Sequence, residues 1–175
     1  MEMLGVTELL VLPAAGEEHP DPALEPPQLV MALAQQKARE VAAKVAPDDV
    51  IVAADTIVVL DGRVYGKPHS EAEAASMLRA LSGRTHEVYT GVCVIASGRE
   101  CRRFDRTAVS FRALDEGEIA RYIASGEPMD KAGAYGAQGK GALFVERLDG
   151  DFFNVMGLPL CLLGQMLKEQ GVGLL

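Results

Sequence analysis

The chain has little of what marks a secreted, membrane-spanning or nucleic-acid-binding protein. Its cysteines, Cys93, Cys101 and Cys161, are odd in number and carry no CxxC spacing. They read as small hydrophobes in a reducing compartment rather than as a disulfide framework or a metal site. His19, His69 and His86 are scattered, and nothing pairs them as ligands. No run approaches the roughly 18 apolar residues needed to cross a bilayer. The N-terminal MEMLGVTELLVLPAAGEE lacks the basic start of a secretory signal, so a cytoplasmic address is expected. Lys and Arg total 17 against 25 Asp and Glu, a net charge of −8. That balance argues against broad binding to a nucleic acid polymer, which needs a basic face, but a small anionic ligand can still be held where a few cations gather. Low-complexity tracts, internal repeats and linkers are absent, as are the GxxxxGK[ST] phosphate loop and the GxSxG nucleophile elbow.

What is present fits one ordinary soluble domain: 175 residues, 49% hydrophobic and 24% charged. After Pro26-Pro27, the residues Leu29, Val30, Leu33, Ala34, Ala38, Val41, Ala42 and Val45 recur at helical spacing until Pro47. Lys37 falls inside that apolar stripe, where an ammonium must snorkel outward or find a partner. A β-rich run from Val50 to Leu60 turns at Asp61-Gly62 into a short return strand ending at Gly66-Lys67-Pro68. Ser70 and Glu73 predict a capping box for a helix closing near Gly83. Strand-like runs follow at 86–97 and 106–114, then a helix from Asp115 to about Gly126. GEPMDKAGAYGAQGKGALFVE (126–146) is a glycine-rich loop able to bring backbone amides to a ligand, and 158–171 reads as a closing amphipathic helix. Helices interleave with strands joined by tight turns, which predicts an α/β protein with a mixed sheet flanked by helices.

Asp55, in IVAADTIVVL, is the sharpest residue. A carboxylate in a buried strand costs several kcal/mol unless it is hydrogen-bonded, paired or metal-bound, so Asp55 is either functional or a structural group at a strand end facing solvent. Lys37, Lys67 and Lys131 are candidates to join it, each otherwise a solvated surface group. A carboxylate with lysines and a glycine-rich loop suits cleavage of a phosphoanhydride: lysines neutralise phosphate charge, carboxylates hold a divalent cation, and one carboxylate takes a proton from water. Gln138 adds a neutral hydrogen bond to a base or to the water.

The blocks ADT (54–56), GKP (66–68), LSGRTHEVYTGV (81–92), the loop at 126–146 and GDFFNVMGLPL (150–160) resemble the Maf-like nucleoside triphosphate pyrophosphatases, historically described as septum formation inhibitors. The resemblance covers nearly the whole chain. It implies a fold related to inosine triphosphate pyrophosphatases and a reaction, dependent on Mg²⁺ or Mn²⁺, in which a nucleoside triphosphate and water give a monophosphate and pyrophosphate. By position it makes Asp55 the proton acceptor and Lys37 and Lys67 functional lysines. It places an acidic pair at Glu17 and Glu18, with Glu18 the better metal ligand beside Asp55. It ties specificity to Thr56 and Gln138; Lys131, a candidate of the lysine cluster above, is expected on the substrate side with them. Because this chain carries ADT where a sister group acting on methylated guanosine triphosphate carries SDQ, the dTTP and UTP branch is favoured, with modified pyrimidine nucleotides as relatives. Family members usually carry a first strand and an SxSPRR loop ahead of a segment like MEMLGV. The expected single domain, 1–175, lacks both, and with them two arginine contacts to phosphate. A nucleotide-binding regulatory protein of cell division without turnover is the alternative reading. A homodimer is compatible with either.

Overall fold

The computed structural model describes residues 6, 8–14, 21 and 23–174. Helix α1 (Pro26–Ala42) starts with proline in its first turn, where the missing N–H is no loss, and buries Leu29, Val30, Leu33, Ala34 and Ala38 on one stripe. Strand β1 (Ile51–Leu60) turns into β2 (Arg63–Tyr65) through Asp61 and Gly62, both at positive φ, the two-residue turn whose twist matches that of the strands. Helix α2 (Glu71–Leu81) is capped by Ser70 Oγ, which accepts from the Glu73 N–H at 3.1 Å. The returning bond of the box goes one residue upstream, from the His69 N–H to Glu73 Oε2 at 2.7 Å. Helix α3 (Glu116–Ala124) has the full reciprocal box between Asp115 and Glu118.

Strand β3 (Thr85–Ala96) passes through Ser97-Gly98 into β4 (Arg99–Phe111), which starts well before the run expected at 106–114. Its first half shows no apolar alternation because polar partners satisfy it. Arg102 donates to Gln35 Oε1 at 2.7 Å, and Arg103 pairs with Glu169 at 2.7 Å. Strand β5 (Val145–Asp149), the short helix α4 (Phe152–Val155) and helix α5 (Leu160–Glu169) complete the order. The α/β reading holds. The sheet runs β2-β1-β3-β4-β5 and is antiparallel among the described strands, where tight turns between interleaved helices had suggested a mixed one. The reason is local: β2 is only three residues long, so the chain leaves and re-enters the sheet near one end of β1.

Two compact units divide the chain. The first comprises residues up to Asp55, Gly91–Phe104 and Leu160 onward, with Ala34, Ala38, Ile51 and Cys93 in its core. Burial pushes the Cys93 thiol up to about 12, so it behaves as the small hydrophobe expected. The second comprises Thr56–Thr90 and Asp105–Pro159, where α2 and α3 pack on Val58, Leu60, Val88, Val109 and Phe111. No helix among the described residues is long and apolar enough to cross a membrane.

His86 lies in the second core, 1% exposed, with its Nε2 2.8 Å from the Tyr135 hydroxyl and its ring edge-on to Phe111 at 4.9 Å. Burial lowers its pKa from 6.5 to about 4. The unfolded chain therefore takes up a proton at His86 that the folded chain refuses between these values. Stability from this group is complete above about pH 6.5 and is lost as pH falls toward 4, by up to about 3 kcal/mol. Urea denaturation at pH 7.5 and pH 5 measures it, and His86→Phe should flatten this part of the slope. An unchanged slope in the variant would assign the acid sensitivity elsewhere.

Candidate active site

Asp55 is 9% exposed, and α1 brings Lys37 to it: Lys37 Nζ lies 2.5 Å from Asp55 Oδ1. Both residues belong to the first unit. The pairing resolves two oddities at once, since the ammonium in the apolar stripe compensates the carboxylate in the apolar strand. Lys37 keeps 24% of its side chain exposed. Gly91 on β3 sets the distance of α1 from the sheet, because a Cβ there would stand 2.3 Å from the Val30 carbonyl carbon. Any side chain at 91 would displace the helix that carries Lys37.

In the second unit, Lys67 and Lys131 gather around Asp130. Lys131 Nζ binds Asp130 Oδ1 at 2.5 Å. That bond holds the Asp130 carboxyl below its usual range against the upward push of partial burial, and the charge of Lys67 adds to the lowering. Lys67 itself is exposed. The loop that carries Lys131 docks beside it: the Gly133 N–H donates to the Gly66 carbonyl at 3.0 Å. Gly133 is required there on two counts, a φ of +67° and a Val58 methyl 2.8 Å from where its Cβ would be.

Glu127, which sequence reasoning passed over, ties the rest of the loop together. Its carboxylate accepts from the Tyr122 hydroxyl (3.0 Å) and from the N–H groups of Lys140 (3.0 Å) and Gly141 (3.2 Å). Burial pushes its pKa up, but the two amides and the hydroxyl outweigh that and hold it below the usual carboxylate range. Only its place at the head of a glycine-rich segment could have flagged it. A turn closed by the Gly139 N–H on the Gly136 carbonyl at 3.2 Å presents Gln138, exposed, at its tip.

Adjacent residues of a strand point to opposite faces. So while Asp55 meets Lys37, Thr56 meets Thr90, with their hydroxyl oxygens 2.9 Å apart. Thr90 Oγ1 in turn donates to the Asn154 carbonyl of α4 at 2.9 Å. ADT is thus one block in the sequence and two placements in the fold. Of the residues expected at a site, Lys37 and Asp55 are brought together, and so are Lys67 and Lys131. Glu17 and Glu18 lie outside the described residues, so the expected second metal ligand does too.

Among the described residues no three metal-ligating side chains gather. Mg²⁺ is characteristically held by one or two carboxylates together with substrate phosphates and waters, so the Asp55 carboxylate suits such a cation without a closed protein cage.

The family model described as Maf-like protein matches residues 1–170. A dTTP/UTP pyrophosphatase of Bacillus cereus is 51% identical over 144 residues, which cover 82% of this chain and 75% of the relative. One of Bacillus mycoides gives the same figures. One of Bacillus pumilus is 48% identical over 149 residues, 85% of this chain and 78% of the relative.

Proposed function

Because the chain belongs to the Maf-like protein family, we propose that it is a nucleoside triphosphate pyrophosphatase that hydrolyses dTTP and UTP, and modified pyrimidine relatives, to the monophosphate and pyrophosphate. The observation that carries this reading is the buried Asp55 carboxylate with the Lys37 ammonium at 2.5 Å, in a chain 51% identical to proteins named for that activity. Asp55 takes a proton from the attacking water. The water oxygen bonds to the α-phosphorus, and the bond from that phosphorus to the bridging oxygen breaks to release pyrophosphate. Lys37 and Lys67 offset the charge of the phosphates, and Lys131 serves the same substrate. Thr56 and Gln138 meet the base. A Mg²⁺ or Mn²⁺ ion, held by Asp55 and Glu18, supplies further neutralisation of phosphate charge when bound.

The reading extends to a cytoplasmic enzyme of free nucleotides, because a net charge of −8 repels a nucleic acid polymer. A homodimer belongs to the same reading. Pyrophosphate release from a panel of triphosphates with Mg²⁺ or Mn²⁺ tests it. The expected result is turnover of dTTP and UTP well above that of ATP and GTP. Tight nucleotide binding without release of pyrophosphate would instead favour the regulatory alternative.

A further inference from the structure

Thr107 Oγ1 has one proton and two lone pairs, and all three are used. It donates to the Asp151 carbonyl (3.1 Å) and accepts from the Asp151 N–H (3.0 Å) and from Asn154 Nδ2 (2.9 Å). Asn154 Nδ2 also donates to the Val88 carbonyl at 3.1 Å, which leaves the amide one orientation. Asn154, Thr107 and Thr90 are all 0% exposed, so water does not offer them alternatives. The backbone of α4 at Asn154 is therefore held against β3 and β4.

That anchoring decides the proton two bonds away. The Thr90 hydroxyl lies 2.9 Å from the Asn154 carbonyl and 2.9 Å from Thr56 Oγ1. A carbonyl cannot donate, and a threonine has a single hydroxyl proton. Only one arrangement places a proton in both contacts: Thr90 donates to the carbonyl, and Thr56 donates to Thr90. The proton of Thr56 is then spent inside the protein, and its oxygen offers lone pairs alone to anything outside. Gly157 lies beside that oxygen, and a Cβ at 157 would be in van der Waals contact with it at 3.4 Å, so glycine keeps a side chain out of that space.

Building on the dTTP/UTP reading above, in which Thr56 meets the base, we infer that Thr90 is a positioning residue that makes Thr56 an obligate acceptor, and that the substrate group it accepts from is the ring N3–H of uracil or thymine. In a uracil or thymine nucleotide N1 carries the sugar, so N3–H is the one N–H on the base. Cytosine presents a lone pair at the same ring position, and two lone pairs face each other there. A buried polar site of fixed polarity rejects the mismatched ligand far more strongly than an apolar pocket does.

Two measurements of pyrophosphate release by the full chain test this. In the first, kcat/KM is compared for UTP and CTP. Wild type should prefer UTP, and Thr90→Val, which frees the Thr56 proton to turn outward, should reduce the UTP:CTP ratio by roughly tenfold or more. Thr90→Ser keeps the hydroxyl and should keep the ratio. The valine variant leaves the Asn154 carbonyl with its second partner, the Gly157 N–H at 2.9 Å. A ratio unchanged by valine, or lost equally in serine, overturns the inference while leaving the dTTP/UTP reading standing.

The second measurement needs no variant. Fluorine at C5 draws electrons from the ring and makes N3–H more acidic, so kcat/KM for 5-fluoro-UTP should fall at a lower pH than for UTP. Coincident pH profiles overturn the assignment of N3–H. Absence of release from both UTP and dTTP in wild type overturns this inference together with the reading it builds on.

Discussion

Replacing Asp55 by asparagine is expected to lower kcat/KM for dTTP by about two to four orders of magnitude, the usual worth of a positioned general base. Asparagine keeps the shape and loses the basicity. The loss should lie mainly in kcat, because the group acts on the water rather than on uniform binding. Stability should change by much less than for a closed buried pair. Lys37 is 24% exposed, so solvent screens its ammonium once the carboxylate is gone, which lowers the cost of losing that partner. Steady-state kinetics and a urea titration on the same preparation separate the roles. If kcat is nearly unchanged while the denaturation midpoint drops sharply, Asp55 is a structural ion-pair partner and the catalytic reading fails.

Glu127→Ala should act the other way, on the fold of the loop first and on turnover second. It strands three donors, the Tyr122 hydroxyl and the amides of Lys140 and Gly141, now held at 3.0, 3.0 and 3.2 Å. Hydrogen bonds to a charged acceptor contribute roughly 1.5–3 kcal/mol each. The carboxylate is partly open to water, which replaces some of that, so a net loss of about 2–4 kcal/mol is expected. The loop carries Lys131 and Gln138, so KM should rise more than kcat falls. Hydrogen exchange at Lys140 and Gly141 should accelerate ahead of the core. Because the folded pKa of Glu127 lies below its ordinary value of 4.5, its contribution is intact above pH 4.5 and fades as pH falls through the lowered value. A midpoint and exchange rates equal to wild type would remove Glu127 from this role.

Local signals in the sequence carried most of the architecture. The Asp115–Glu118 capping box, the Asp61-Gly62 turn and the apolar stripe of α1 each appear where short-range chemistry places them. The first half of β4 escaped because its alternation is polar, and polar alternation reads as surface until the partners Gln35 and Glu169 are in view. Helix α4 escaped because four residues with no periodicity leave no pattern to read.

The candidate chemistry divides along the same line. The sequence by itself determined that Asp55 and Lys37 are both anomalous, one a carboxylate in an apolar strand and the other an ammonium in an apolar helical stripe. It also determined, through its ordered blocks, the family and the expected pyrimidine nucleotide. Only the tertiary structure decided that the two anomalies answer each other across 2.5 Å, that Glu127 holds the glycine-rich loop, and that neighbours in ADT point apart to Lys37 and to Thr90. The physical reason is range. Caps, turns and periodicity act within a few residues and are written locally. The compensation of a buried charge and the direction of a hydroxyl proton depend on groups tens of residues away that meet only in the folded chain.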